Sequence, residues 1–169
     1  MFRCSAYREA GGFDPRILAG EEPELCARLR RKGWLIMRID APMTIHDAAM
    51  KRFSQWWMRA IRSGMGYGQA WSLTRHGEGE GLYRREIWRA LIWAGSLPLI
   101  GMALAVLVKP ALILLWPGLT ALQFLRLAVR KGPFASFLSI VGKYAELIGI
   151  AWFAVRRLRG RVGGTVMYK

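Results

Sequence analysis

The apolar positions of this chain fall into two regimes. Up to residue 75 they alternate with charge at short, regular spacings, and from Ala90 onward they form long uncharged runs. In the first regime, Glu21-Glu22-Pro23-Glu24-Leu25-Cys26-Ala27-Arg28-Leu29-Arg30-Arg31-Lys32 predicts a helix. The acids sit at the positive end of the helix dipole and the basic residues at the negative end. Leu25 and Leu29, four apart, mark the buried face, Pro23 suits the first helical position, and Gly33 closes the helix. Trp34-Leu35-Ile36-Met37-Arg38-Ile39 reads as a strand that Pro42 stops, Phe2 to Tyr7 as a strand or strand end, and Gly11-Gly12-Phe13-Asp14-Pro15 as a turn.

Residues 48–74 predict an amphipathic helix. Phe53, Trp56, Trp57, Ala60, Ile61, Gly64 and Trp71 recur at three and four, and Arg52, Gln55, Arg59 and Arg62 form a second stripe. Trp on one face and Arg on the other suits a bilayer interface, although an ordinary core helix shows the same period. Gly64, Gly66 and Gly68 weaken this helix but would let another backbone or a sugar chain approach closely. The glycine-bearing stretch 75–86 reads as a linker.

In the second regime, Ala90 to Val108 carries no charge and spans ~28 Å as a helix, enough to cross a bilayer, with Pro98 as a kink point. Ala111 to Leu125 is shorter, ~22 Å, and holds Pro117-Gly118. Lys and Arg are dense on both outer flanks of this pair, while the turn between holds only Lys109. The positive-inside rule therefore makes the pair a hairpin with both flanks cytoplasmic. Phe134 to Val155 is apolar with Ser136, Ser139, Lys143 and Glu146 as a polar stripe. It reads first as an interfacial or re-entrant helix and second as a third crossing.

Composition sharpens this picture. The net charge is +15 in 169 residues that are 53% hydrophobic, with eight Trp. Such a balance fits nucleic acid or an anionic membrane surface. Because the basic residues bracket the apolar runs, the membrane is the expected partner and nucleic acid is not. Two cysteines, Cys4 and Cys26, exclude a disulfide framework or a Cys-based metal site. No cleavable signal peptide is visible at the N-terminus.

The order Gly11-Gly12-Phe13-Asp14, then Glu21-Glu22 opening a helix, then His46-Asp47, then Gln55-Trp56-Trp57-Met58-Arg59 resembles the C-terminal half of the catalytic domain of membrane-bound family-2 glycosyltransferases. The first 75 residues carry it by motif and the remainder by layout. The resemblance implies a mainly α chain: a small α/β remnant of a GT-A domain (1–47), an amphipathic interfacial helix and linker (48–86), a transmembrane hairpin (87–133), and an interfacial or re-entrant helix with a basic tail (134–169). It implies a location at a bacterial-type inner (cytoplasmic) membrane, the catalytic part facing the cytoplasm.

What the resemblance implies chemically is inverting transfer from a nucleotide sugar to a lipid-linked or polysaccharide acceptor. A carboxylate must take the acceptor's proton, and cations must hold the leaving diphosphate. The base falls on Glu22 or its neighbour Glu21, with glutamate where the family has aspartate. His46 falls on the metal-ligand position for Mn²⁺ or Mg²⁺. Asp14, Gln55, Trp56, Trp57 and Arg59 fall on the acceptor and diphosphate side, where Trp stacks on sugar faces and Arg clamps phosphate. The Gln-Trp-Trp-Met-Arg order differs from the Gln-x-x-Arg-Trp of processive synthases. No Asp-x-Asp occurs in the chain, so the family's donor-binding half is expected from elsewhere. The competing expectation is a catalytically inactive anchor or partner subunit of a glycosyltransferase system.

Overall fold

The computed structural model describes residues 3–15, 17, 20–37, 40, 50–75 and 81–160. Of these, 80% are helical and none lies in a strand. Helix α1 is Cys4–Glu9, α2 is Glu21–Arg31 and α3 is Phe53–Thr74. Three long helices follow: α4 over Arg84–Leu107, α5 over Pro110–Lys131 and α6 over Pro133–Leu158.

The first two helices are short and end in the same way. After α1, Gly11 (φ +77°) and Gly12 (φ +69°) donate their N–H groups to the carbonyls of Arg8 and Tyr7. After α2, Gly33 (φ +80°) donates to Arg30 and Trp34 donates to Leu29. Both are Schellman closures, which require a left-handed residue just past the helix, where a Cβ is penalised. Leu25 and Leu29 face Ala6 and Ala10, with Tyr7 and Trp34 packed on this small core. The Trp34 indole N–H donates to Glu9 at 3.0 Å and ties the end of α2 back to α1.

Two expected strands are therefore corrected. Of Phe2 to Tyr7, Cys4 to Tyr7 lie in α1, where Ala6 packs with Ala10, just past the helix end, against Leu25 and Leu29 of α2. Of the strand expected at Trp34 to Ile39, Trp34 to Met37 carry no strand: Trp34 belongs to the closure of α2, Leu35 is 98% exposed, and residues 38 and 39 lie outside the described residues. Without a partner strand such a segment gains no ladder hydrogen bonds and has no sheet face to bury. Pro23 stands third in α2, not first, which is also harmless because the first four N–H groups lack intrahelical partners. The α/β character expected of residues 1–47 is not seen among the described residues.

Helices α4, α5 and α6, with 24, 22 and 26 residues, are each long and apolar enough to cross a membrane. In α4 the segment Leu91–Ser96 is π-helical and ends two residues before Pro98. Proline lacks the N–H that would bond to Ala94 and crowds its carbonyl, and a wider turn relieves that crowding. Lys109 is extended, Pro110–Leu114 is 3₁₀-helical, and α5 becomes α-helical from Leu115. Gly132 (φ +80°, ψ +160°) joins α5 to α6, and Pro133 opens α6. That joint is glycine-only backbone, and it folds α6 back along α5, so that Trp116 reaches the Tyr144 hydroxyl at 3.3 Å.

The tightest packing is between α3 and α6. A Cβ on Gly149 would lie 2.0 Å from the Ile61 carbonyl oxygen, and one on Gly64 2.1 Å from that of Glu146. Gly142 rests on the Trp56 ring and Gly68 on Phe153. Residue numbers rise together along both helices, so they run in the same direction. Close approach at small residues is how helices pack where water supplies no driving force. The polar stripe of α6 faces inward: Ser136 is fully buried, and Lys143 pairs with Glu146 at 2.6 Å. A stripe that reads from sequence as an interfacial face thus lies inside the bundle, and α6 stands beside α4 and α5 as a third candidate span.

Candidate functional site: a cationic cleft between helices

Three polar stripes converge in space. Trp56, Arg59 and Ser63 of α3, Thr120, Gln123, Arg126 and Arg130 of α5, and Ser139, Lys143 and Glu146 of α6 face one another, with Arg89 and Trp93 of α4 on the remaining wall. They enclose a cleft of about 700 Å³. From Lys131 at its rim to Thr120 is eleven residues of helix, a depth of ~16 Å.

Its electrostatics are one-sided. Six cations line it, and Glu146 is the one acid. Glu146 is already paired with Lys143. Arg59, Arg89, Arg126, Arg130 and Lys131 have no acidic partner among the described residues. The Thr120 hydroxyl is buried with no hydrogen-bond partner among the described residues, and it is a polar group that water or a ligand entering the cleft could satisfy.

A second, smaller hollow of about 480 Å³ lies where the α1–α2 pair meets the far end of α3, lined by Gly11, Asp14, Glu24, Arg28 and Leu73 among others. Here the charges are satisfied. Arg28 grips Glu24 with two bonds of 2.7 Å, donates to the Gly12 carbonyl at 2.7 Å and also donates to the Ala10 carbonyl. The Glu24 carboxylate raises the Arg28 pKa above its ordinary value, against partial burial. Glu24, at 5% exposure, is the buried acid of this region.

The expected site residues are thereby divided. Trp56 and Arg59 line the cationic cleft. Trp57 is not on its wall; it stacks with Phe53 and Trp56 at 6.0 and 6.3 Å between ring centres. Gln55 caps its own helix, its side-chain oxygen accepting the N–H groups of Lys51 and Arg52 at 3.0 and 3.1 Å. Asp14 lies in the smaller hollow. Glu21 and Glu22 are exposed at the start of α2. The charge of Glu21, after burial and Glu86, helps raise the pKa of Tyr83. Tyr83 stacks on Tyr67 with ring centres 4.7 Å apart, and Gly20 packs against it. Tyr67 and Trp56 are eleven residues apart on α3, or ~16 Å along its axis. Along α3 the Tyr67 level, to which Glu21 is linked through Tyr83, thus lies about two turns from Arg59 and about three from Trp56.

His46 lies outside the described residues, as does Asp47. Among the described residues, no three His, Cys, Asp or Glu side chains gather as a metal-binding group. The Mn²⁺ or Mg²⁺ expectation, which rests on His46, thus also falls outside the described residues.

The cleft itself escaped the sequence reading. Its signal was present as Thr120, Gln123, Arg126 and Arg130, a polar stripe within a run otherwise read as a span, but one stripe does not say which others it meets. No protein-family profile, characterised protein or solved structure matches the chain.

Proposed function

We propose that the chain is the membrane-bound, acceptor-side part of a family-2 glycosyltransferase, working at the cytoplasmic face of a bacterial-type inner membrane. The order of the Gly-Gly-Phe-Asp, Glu-Glu, His-Asp and Gln-Trp-Trp-Met-Arg motifs supports the family. The observation that carries the acceptor role is Trp56 and Arg59 standing together on the wall of a cationic cleft among helices able to span a bilayer. An indole gives a sugar face a stacking surface, and a guanidinium beside it gives a phosphate a bidentate partner. The rim of the cleft faces the cytoplasm whether α6 crosses or lies flat. Lys and Arg of residues 52–89 and 126–131 outnumber those at the opposite ends of the spans. The donor, a nucleotide sugar, would be held by a GT-A domain that carries Asp-x-Asp. Leaving-group charge would be met by the protein's own cations, and no step is assigned to a divalent cation.

A second reading, that the chain is a partner subunit and not the catalyst, is favoured by the roughly two to three turns of α3 between the Tyr67–Tyr83 level near Glu21 and the ledge. One experiment separates the two. Source-cell membranes depleted of the chain are resupplied with wild type, Arg59→Ala or Glu22→Gln, and incorporation of labelled nucleotide sugar into lipid and polymer is measured. Arg59→Ala should lower incorporation at least tenfold with an unchanged melting temperature. If Glu22→Gln abolishes it as well, Glu22 is the base; if Glu22→Gln and a companion Glu21→Gln are both silent, the chain is a partner subunit. Incorporation indifferent to depletion would overturn both readings.

A further inference from the structure

The side of the cleft away from the Trp56–Arg59 ledge calls for a ligand of its own. Arg89, Arg126, Arg130 and Lys131 crowd the rim without an acidic partner among the described residues, and the Thr120 hydroxyl is buried and unpaired further in. The basic side chains are exposed, so an anion can reach them, and several like charges lining one concavity attract a counter-charge. Arg89 lies near the start of α4, and Arg126, Arg130 and Lys131 lie near the end of α5, where a spanning helix would meet the lipid headgroups. There an anionic leaflet concentrates phosphate next to basic side chains. Exposed Leu122, Leu125 and Val129 on α5 continue from the rim as an apolar surface suited to acyl chains.

We propose that this side of the cleft is a headgroup site for an anionic phospholipid of the cytoplasmic leaflet. Arg126, Arg130 and Lys131 hold the phosphate, Arg89 closes over it from α4, and a headgroup hydroxyl reaches toward Thr120. The tail runs down the outer face of α5. The site rests on the geometry of the cleft and on a membrane location. It does not require sugar transfer, so a chain that transfers nothing can still bind the lipid, and one that transfers can fail to.

The test uses the full chain in detergent micelles, with lipid retention read by native mass spectrometry and folding by thermal melting. The probes are phosphatidylglycerol, phosphatidylcholine, a long-chain isoprenyl monophosphate and inorganic phosphate. Phosphatidylglycerol should be retained at least tenfold more tightly than phosphatidylcholine. The triple variant Arg126→Gln, Arg130→Gln, Lys131→Gln should lose that preference while still melting cooperatively. The control triple Arg156→Gln, Arg157→Gln, Arg159→Gln removes as much charge at the other end of α6, and it should change retention less than twofold. Equal losses in the two triples would reduce the effect to general basicity and overturn the site. Preferential retention of the isoprenyl monophosphate would overturn the bilayer-lipid assignment and give the whole cleft to a lipid acceptor. Full displacement by inorganic phosphate at equal affinity would show a free-anion site and overturn it too.

Discussion

Two arginine-rich places in this protein are built on opposite principles. At the junction of α1 and α2, Arg28 has its acid and its carbonyls in place. In the cleft between α3, α4, α5 and α6, five cations face one another with no acid among the described residues to answer them. The first arrangement stabilises the fold by satisfying buried groups on both sides of a bond. The second leaves exposed cations without an acidic partner among the described residues, free to meet a charge from outside the chain. The same residue type is structural in one place and receptive in the other, and only the partners distinguish them.

The largest expected effect concerns the frame that holds both regions. Gly149→Leu should prevent the α3–α6 contact from forming, because even a Cβ there meets the Ile61 carbonyl at 2.0 Å. The expected result is loss of a monodisperse, cooperatively melting species in detergent, with Gly149→Ala costing about 3 kcal/mol. The comparison itself is tested next. Arg28→Met strands Glu24 and two carbonyls and should cost about 2–3 kcal/mol. Arg130→Gln should change stability by less than about 0.5 kcal/mol and should raise the melting temperature at low salt. Equal losses from the two substitutions would erase the distinction between structural and receptive arginines.

A smaller effect is expected at the junction between the regions. Burial, helped by the charge of Glu146, pushes the Tyr67 pKa up to about 12. The folded state therefore holds this proton more tightly than the unfolded chain, whose tyrosine titrates near ~10. Stability should fall as pH rises from that unfolded value through the folded one, and it should be indifferent to this group below it. Tyrosinate absorbance should show a late step that Tyr67→Phe removes. A purely local effect belongs to Gly33→Ala. Nothing lies within 4 Å of an added Cβ, so the left-handed φ of +80° is the whole cost, about 1 kcal/mol by chemical denaturation.

Local rules written in the order of residues were legible from the chain alone. The acid-headed α2 and its Gly33 closure, the amphipathic period of α3 and the uncharged lengths of α4 and α5 all follow from interactions within four residues or from counting apolar positions. The close approach at Gly64 and Gly68 was legible too, as permission for a neighbour without the neighbour's name. The strand or strand end expected at Phe2–Tyr7 and the strand expected at Trp34–Ile39 do not form over their described residues, because a short apolar run becomes a strand only where a partner strand is present to pair with it. The tertiary structure alone decided that the stripes of α3, α5 and α6 meet, that the stripe of α6 faces inward, and that Glu24, not Glu21 or Glu22, is the buried acid. Each of these depends on contacts between residues far apart in the chain, and periodicity names a face without saying what that face will touch.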